Sequence, residues 1–282
     1  MNRQKSFENG RPTLYLVATP IGNLNEMTPR AIEILNEVDI IAAEDTRNTG
    51  KLLSHFEIKT KCIAHHAHNE YESAKGLLHL LDEGKNIAVV SDAGYPLVSD
   101  PGQVIVSMVI EAGYNVVPIS GASACLNALV ASGICAQPFM FVGFLKTSES
   151  ERKKACLELK QIKQTLVFYE APHRIKKTLE TMLEVFGNRE ICLAREITKR
   201  HEEFLRGKLN EIIEVCDDLR GEMVIVMEGC SDEIASDIIF PILSEHINQY
   251  ISEGLSTNEA IKKVAKERGL SKNEIYKEYH MN

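Results

Sequence analysis

Along the first 120 residues, short apolar runs alternate with stretches of helical pattern. The runs are Leu14–Ala18, Asp39–Ala43, Cys62–Ala64, Ile87–Val90 and Val116–Ile119. Between them, Pro29–Val38, Thr46–Phe56, Asn69–Glu83 and Gly102–Ala112 read as helices. Strands alternating with helices at this spacing predict an α/β fold with a mostly parallel sheet, helices on both faces. Thr28 followed by Pro29 is a helix start, with Thr as N-cap and Pro in the first turn. A second unit, residues 121–230, offers strands at Phe139–Gly143, Thr165–Tyr169, Ile191–Arg195, Glu203–Arg206 and Met223–Met227. Its helices fit Ala122–Ser132, Ser150–Lys163, Arg174–Phe186 and Leu209–Asp217. The later strands have shorter links, which predicts a mixed sheet. The division is therefore a flexible N-terminus (1–11), an α/β domain (12–120), a second α/β domain (121–230) and a small helical module (235–282).

In that module, Ile238–Ile251 and Thr257–Arg268 read as helices. Ser256 or Thr257 caps the second, Gly269 stops it, and Ser271 caps a third over Lys272–His280. Helix, short Gly turn, capped helix is the form of a helix-turn-helix. This allows nucleic-acid contact or plain helical packing.

Two loops carry the strongest chemical signal. Ser91 to Gly102 follows the fourth apolar run and packs two Gly, two Pro and two Asp into twelve residues. Ala18-Thr19-Pro20-Ile21-Gly22-Asn23-Leu24 follows the first. Rigid, tightly turned loops at strand carboxyl ends are where open α/β sheets bind ligands. Neither GxxxxGK[ST] nor GxGxxG occurs, which points away from nucleoside triphosphates and NAD.

Composition narrows the class. The N-terminal segment lacks the apolar core of a signal peptide, and no run approaches the length needed to cross a membrane. Seven cysteines without a CxxC pair read as reduced thiols of a cytoplasmic protein. Cys62, His65, His66 and His68 lack a familiar zinc spacing, so no metal is expected. The net charge is −8, yet residues 146–208 carry 15 Lys and Arg against 10 Asp and Glu. A basic middle region on an acidic chain is either a solvated helix surface or a contact for a polyanion.

The motifs stand in a recognisable order: Thr19-Pro20-Ile21-Gly22-Asn23-Leu24, Glu44-Asp45-Thr46-Arg47, His68-Asn69-Glu70, Ser91-Asp92-Ala93-Gly94 through Asp100-Pro101-Gly102, Ser132-Gly133, Gly143-Phe144-Leu145, Tyr169-Glu170-Ala171-Pro172-His173-Arg174, Arg195-Glu196-Ile197-Thr198-Lys199 and Arg206-Gly207. Together they resemble the bacterial ribosomal RNA small subunit 2′-O-methyltransferase I family of the tetrapyrrole methylase superfamily, over about residues 12–230. The resemblance implies a two-domain tetrapyrrole methylase-like fold with a C-terminal helical module, working as a homodimer. It implies S-adenosylmethionine as cofactor and the 16S rRNA of the small ribosomal subunit as partner. The implied reaction is methylation of a cytidine 2′-hydroxyl in the decoding region. Two positions depart from the family pattern: Tyr95 stands where Thr is usual, and Ala122 where Pro is usual.

On this reading the cofactor contacts are Pro20, Asp92, Gly94, Tyr95, Val98, Ser123, Ala124, Tyr169 and Ala194. The catalytic candidates are Asp45, Arg47, Glu170 and Lys199. His68, His173, Arg174, Arg195 and Glu196 are candidates for holding substrate, arginines suiting phosphates by their fork geometry. Glu170 or Lys199 is the candidate acceptor of the hydroxyl proton, Lys only with its pKa lowered by burial. Taken alone, Glu44-Asp45-Thr46-Arg47 also reads as a capped helix start with an internal ion pair, and Asp92 as a turn residue. The rival functions are a methyltransferase acting on tetrapyrrole carbons and a nucleic-acid-binding regulator with the α/β part as ligand sensor.

Overall fold

The computed structural model describes residues 3–65, 70–100, 102–231 and 243–268, with Lys272, Ile275, Tyr276 and Tyr279 beyond them. It divides into two compact units, Met1–Gly229 and Cys230–Asn282.

The first unit contains two five-stranded sheets. One uses β1 (Thr13–Val17), β2 (Ile40–Ala43), β3 (Lys61–Ala64), β4 (Ile87–Val90) and β5 (Asn115–Ile119) in the order β3-β2-β4-β1-β5, all parallel. Alternate residues point to opposite faces, so each strand supplies two cores. Val17, Ile41, Ala43, Ala88 and Val90 pack under α1 (Pro29–Glu37) and α2 (Thr46–His55). Leu14, Ala42, Ile87 and Val89 pack under α3 (Glu70–Asp82) and α4 (Gln103–Glu111). Burial on both faces explains why these strands read as unbroken apolar runs. Thr28 caps α1 as the sequence predicts, its hydroxyl accepting from Ala31 N at 3.2 Å.

The strand order places the site. β1 leads by α1 to one side of the sheet, and its neighbour β4 leads by α4 to the other. Their carboxyl ends therefore flank a switch point, where the chain leaves a crevice open above the sheet.

The other sheet runs β6-β7-β10-β8-β9, with β6 (Phe139–Phe144), β7 (Thr165–Glu170), β8 (Glu190–Arg195), β9 (Glu203–Lys208) and β10 (Met223–Met227). Only β6 and β7 pair in parallel; the mixed sheet follows from the short later links. One face packs under α6 (Glu149–Leu159), α7 (Ile175–Phe186) and α8 (Leu209–Val215), the other under α5 (Ala124–Ala131). β10 is the central strand, buried throughout, and Met223 at its start pairs with Glu170 and Arg195 at the ends of β7 and β8. Three strand ends thus meet at one edge. The helix predicted from Ala122 begins instead at Ala124, because Ser123 turns out of the helix and its hydroxyl accepts from Leu126 N.

The second unit pairs α9 (Leu243–Ser252) with α10 (Thr257–Arg268) across a turn at Gly254. Leu243, Ile247, Ala260, Ile261, Val264, Ala265 and Ile275 form its core. Ser256 is the cap of α10: its N–H and hydroxyl both donate to Glu259, three residues on, at 3.0 and 2.5 Å. The predicted stop at Gly269 and cap at Ser271 lie outside the described residues.

Candidate active site

The loops after β1 and β4 are joined to each other. Thr19 and Gly94 exchange backbone hydrogen bonds of 2.9 and 3.0 Å, and the Thr19 hydroxyl donates to Ser91 O. Gly94 stands at φ +79°, a backbone state that side chains disfavour. Farther along, the Glu70 carboxylate accepts from Gly102 N (2.8 Å) and Val104 N (3.2 Å), capping α4 where Gly102 offers no side chain. The Tyr95 hydroxyl accepts from Gly121 N at 3.1 Å, binding the β4 loop to the loop before α5.

These loops and the three strand ends of the mixed sheet enclose a cavity of about 220 Å³. Among the described residues, five non-glycine positions have positive φ, and four of them (Leu97, Ser99, Glu196 and Thr198) lie on two segments beside this cavity. Backbone strain concentrated this way is a feature of ligand sites.

The cavity is acidic. Asp92, Asp100, Glu196 and Glu222 line it against a single cation, Lys199. Burial pushes the Asp100 carboxyl up to about 6, with Glu44, Asp92 and Glu222 adding repulsion and the Ser91 hydroxyl opposing them. Tyr169 closes the apolar side, its ring edge-on to Phe141 (5.0 Å) and Phe144 (5.5 Å). Its hydroxyl accepts from Cys125 N at 3.1 Å, and burial raises its pKa to about 12, so it stays neutral. Lys199 pairs with Glu196 at 2.9 Å. Glycines make room for this pair: a Cβ on Gly22 would meet the Lys199 stem at 2.6 Å, and one on Gly221 would meet Glu196 Oε1 at 2.1 Å.

Seven of the nine candidate cofactor residues line this cavity: Asp92, Gly94, Tyr95, Val98, Ser123, Ala124 and Tyr169. Pro20 lines a neighbouring cavity instead, because the β1 loop turns it toward α2. Ala194 is wholly buried in the core beneath α5, one residue short of the strand end that reaches the cavity edge. Lys199 and Glu196 line the cavity together.

The remaining candidates lie elsewhere. Glu170 is 1% exposed and accepts from Thr178 Oγ1 (2.6 Å) and Ala171 N (2.9 Å), with Arg174 Nε 3.2 Å away. Glu170 does not line the cavity. Arg174 in turn donates to Leu145 O at 2.6 Å, so the pair braces the loop after β6. Arg195 pairs with Glu203 and donates to Arg220 O, while His173 is exposed. Asp45 caps α2 through Arg47 N at 2.8 Å and pairs with the exposed Arg47 side chain, which holds its carboxyl below the usual range. This is the capped start with an internal ion pair. His68 lies outside the described residues. The basic region is also thinner at the surface than in the sequence. Arg152 and Arg189 are buried, donating to Thr181 Oγ1 and to Lys160 O respectively.

Sequence reasoning missed Asp100, Glu222, Met223 and Val224. Asp100 stood in the loop already singled out. The other three reach the site only because β10 inserts between β7 and β8, which no local pattern announces.

Comparison with known proteins agrees with this architecture. Residues 13–213 match the family described as Tetrapyrrole (Corrin/Porphyrin) Methylases. Over its whole length the chain is 48% identical to the ribosomal RNA small subunit methyltransferase I of Bacillus subtilis, covering 99% of that protein. It is 44% identical to the protein of the same name from Synechocystis, over 93% of this chain and 95% of that one. Among solved structures, a cobalt precorrin-4 methyltransferase superposes with a TM-score of 0.56 at 15% identity, covering 77% of this chain and 94% of that one. A diphthine synthase superposes with a TM-score of 0.60 at 12% identity, covering 77% and 89%. Likeness at these identities speaks to the fold alone.

Proposed function

Because the chain belongs to the tetrapyrrole methylase family and, within it, to the ribosomal RNA small subunit methyltransferase I family, we propose that it methylates small-subunit rRNA with S-adenosylmethionine as donor. In the finer form of this reading, the acceptor is the 2′-hydroxyl of a cytidine in the decoding region, and the enzyme is a cytoplasmic homodimer.

The observation that carries the reading is the acidic cavity at the switch point. S-adenosylmethionine supplies a methyl group on a positively charged sulfur, and its other end is a zwitterion. Carboxylates and loop backbone groups suit such a ligand better than a lysine-lined phosphate cradle. Asp92, Asp100, Glu196 and Glu222 would favour its cationic groups, and Tyr169, Val98 and Ile21 would cover its apolar parts. Fixing the donor against rigid loops supplies orientation, the larger part of what a methyl transfer needs. For the hydroxyl proton, Asp100 joins Glu170 and Lys199 as a candidate, since it lines the cavity and has no cationic partner there among the described residues, whereas Lys199 is paired with Glu196.

The tetrapyrrole-carbon reading shares this fold and this donor. The names of the full-length relatives favour RNA over it, as does the helical second unit. The test is transfer of labelled methyl from S-adenosylmethionine to small subunits from cells lacking the protein, followed by mapping of the label. A 2′-O-methylcytidine in the decoding region is expected. Donor binding without transfer to subunits or to naked rRNA would remove the RNA substrate.

A further inference from the structure

A second cavity adjoins the first. It measures about 240 Å³ and is walled by the β1 loop (Thr19, Pro20, Gly22, Leu24), the first turns of α2 (Asn48, Thr49, Lys51, Leu52) and the end of β4 (Ser91, Asp92). Asp92 lines both cavities. Gly22, in the wall of the second, lies directly under the stem of Lys199, in the wall of the first. The two spaces therefore share a partition made of Asp92 and the Gly22–Lys199 crossing.

The walls of the second cavity differ in kind from those of the first. Its one carboxylate, Asp92, accepts from Asn48 Nδ2 at 2.9 Å. That bond fixes the amide, leaving Asn48 Oδ1 as an acceptor with no hydrogen bond among the described residues. Pro20, Leu24 and Leu52 supply an apolar surface, and Leu24 is 40% exposed. Lys51 is exposed at the mouth, and Arg47 lies one turn earlier on the same face of α2. An apolar wall, an acceptor with fixed orientation and two cations along a helix rim match an unstacked nucleotide. The base would lie on the apolar wall, its exocyclic amino group would donate to Asn48, and its phosphates would face Lys51 and Arg47. An acceptor ribose held in a folded RNA must leave its stack to reach a buried donor, and a pocket beside the donor is what extruded nucleotides enter.

We propose that this second cavity is the acceptor chamber, taking the base of one extruded amino-bearing ribonucleotide of the RNA while its ribose reaches the Asp92 edge that both cavities share. There the 2′-oxygen bonds the methyl carbon as the carbon–sulfur bond breaks, and the sulfur keeps the bonding pair and leaves as S-adenosylhomocysteine. The hydroxyl proton passes to a carboxylate of the first cavity, Asp100 being the candidate. The proposal rests on the rRNA methyltransferase reading and deepens it. It also gives the Glu44-Asp45-Thr46-Arg47 segment a part: the Asp45 cap sets the helix start from which Asn48 and Lys51 project.

The test uses the full chain. Leu24→Ser and Lys51→Glu change the chamber at residues that line the second cavity alone and, among the described residues, make no hydrogen bond to the first cavity's lining. The expected result is a KM for small subunits raised about tenfold, with the Kd for S-adenosylhomocysteine unchanged by calorimetry. Donor affinity falling in step with KM would assign the second cavity to the donor and overturn the proposal; so would an unchanged KM. A second measurement needs no variant. Cytidine 5′-monophosphate is titrated into wild-type protein saturated with S-adenosylhomocysteine, with the Leu24 and Leu52 methyl signals followed by NMR. Shifts at both, larger than with uridine 5′-monophosphate, are expected. No shift at either overturns the chamber even if rRNA is methylated. Shifts without any transfer to rRNA keep the chamber and reject the rRNA reading.

Discussion

Asp100 offers a test that separates electrostatics from packing. Its carboxyl is half-buried among Glu44, Asp92 and Glu222, and is raised from 3.8 to about 6. A carboxyl raised in the folded state binds its proton more tightly there than in the unfolded chain. Its contribution to stability is complete below about pH 4 and is lost as pH rises through about 6. The gap between the two values would amount to about 3 kcal/mol if fully felt. Screening by water at a half-buried position reduces this to about 1 kcal/mol. Asp100→Asn keeps the shape and removes the charge. It should therefore match the wild type in stability near pH 4 and exceed it by about 1 kcal/mol above pH 7, or about 3 °C in Tm. Thermal melts of both proteins from pH 4 to pH 8, without ligand, measure the difference. Parallel curves, or a variant less stable at pH 8, would refute the argument that Asp100 is ionised at a cost. The same charge should favour a cationic ligand, so donor binding near pH 6 should release a proton. Calorimetry in buffers of different ionisation enthalpy would detect it.

Glu70→Ala removes the only side-chain cap of α4 among the described residues and should lower stability by about 1–2 kcal/mol, read from urea unfolding, with weaker donor binding because Asp100 lies just before the capped Gly102. Gly221→Ala would place a Cβ 2.1 Å from Glu196 at a φ of +83°, so it should displace the Glu196–Lys199 pair and weaken donor binding measured by calorimetry. Arg174→Ala leaves Glu170 buried without its cationic partner, though still bonded to Thr178 and Ala171 N, and should cost about 3 kcal/mol in urea unfolding. An unchanged stability would show that Arg174 is available to substrate after all.

The fold class was legible because the parallel or mixed character of each sheet, though not its strand order, follows from local pattern. The parallel sheet needs only buried runs such as Ile87–Val90 between helices, and the mixed sheet needs only short links. The cavity's β4 loop was legible for the same reason: Gly and Pro in one turn after a buried strand have a conformational meaning of their own. The surroundings of Glu170 and Arg174 were not legible, because a conspicuous charge pair beside a strand end looks alike in sequence whether it faces solvent or closes over a loop. Only the tertiary partners Thr178 and Leu145 decide. Glu222 was invisible because its place depends on a strand inserted from a distance of more than fifty residues.

The hydrogen bond from Gly121 N to the Tyr95 hydroxyl links the two positions that depart from the family pattern. In the family this chain resembles, Thr is usual at position 95 and Pro at 122. Here the stiffness a proline ring would lend the second loop is replaced by a tether from the first, with Tyr95 reaching across to hold the residue just before Ala122. A loop held by this tether should depend on it. Tyr95→Phe should weaken donor binding in this chain, and adding Ala122→Pro should restore it.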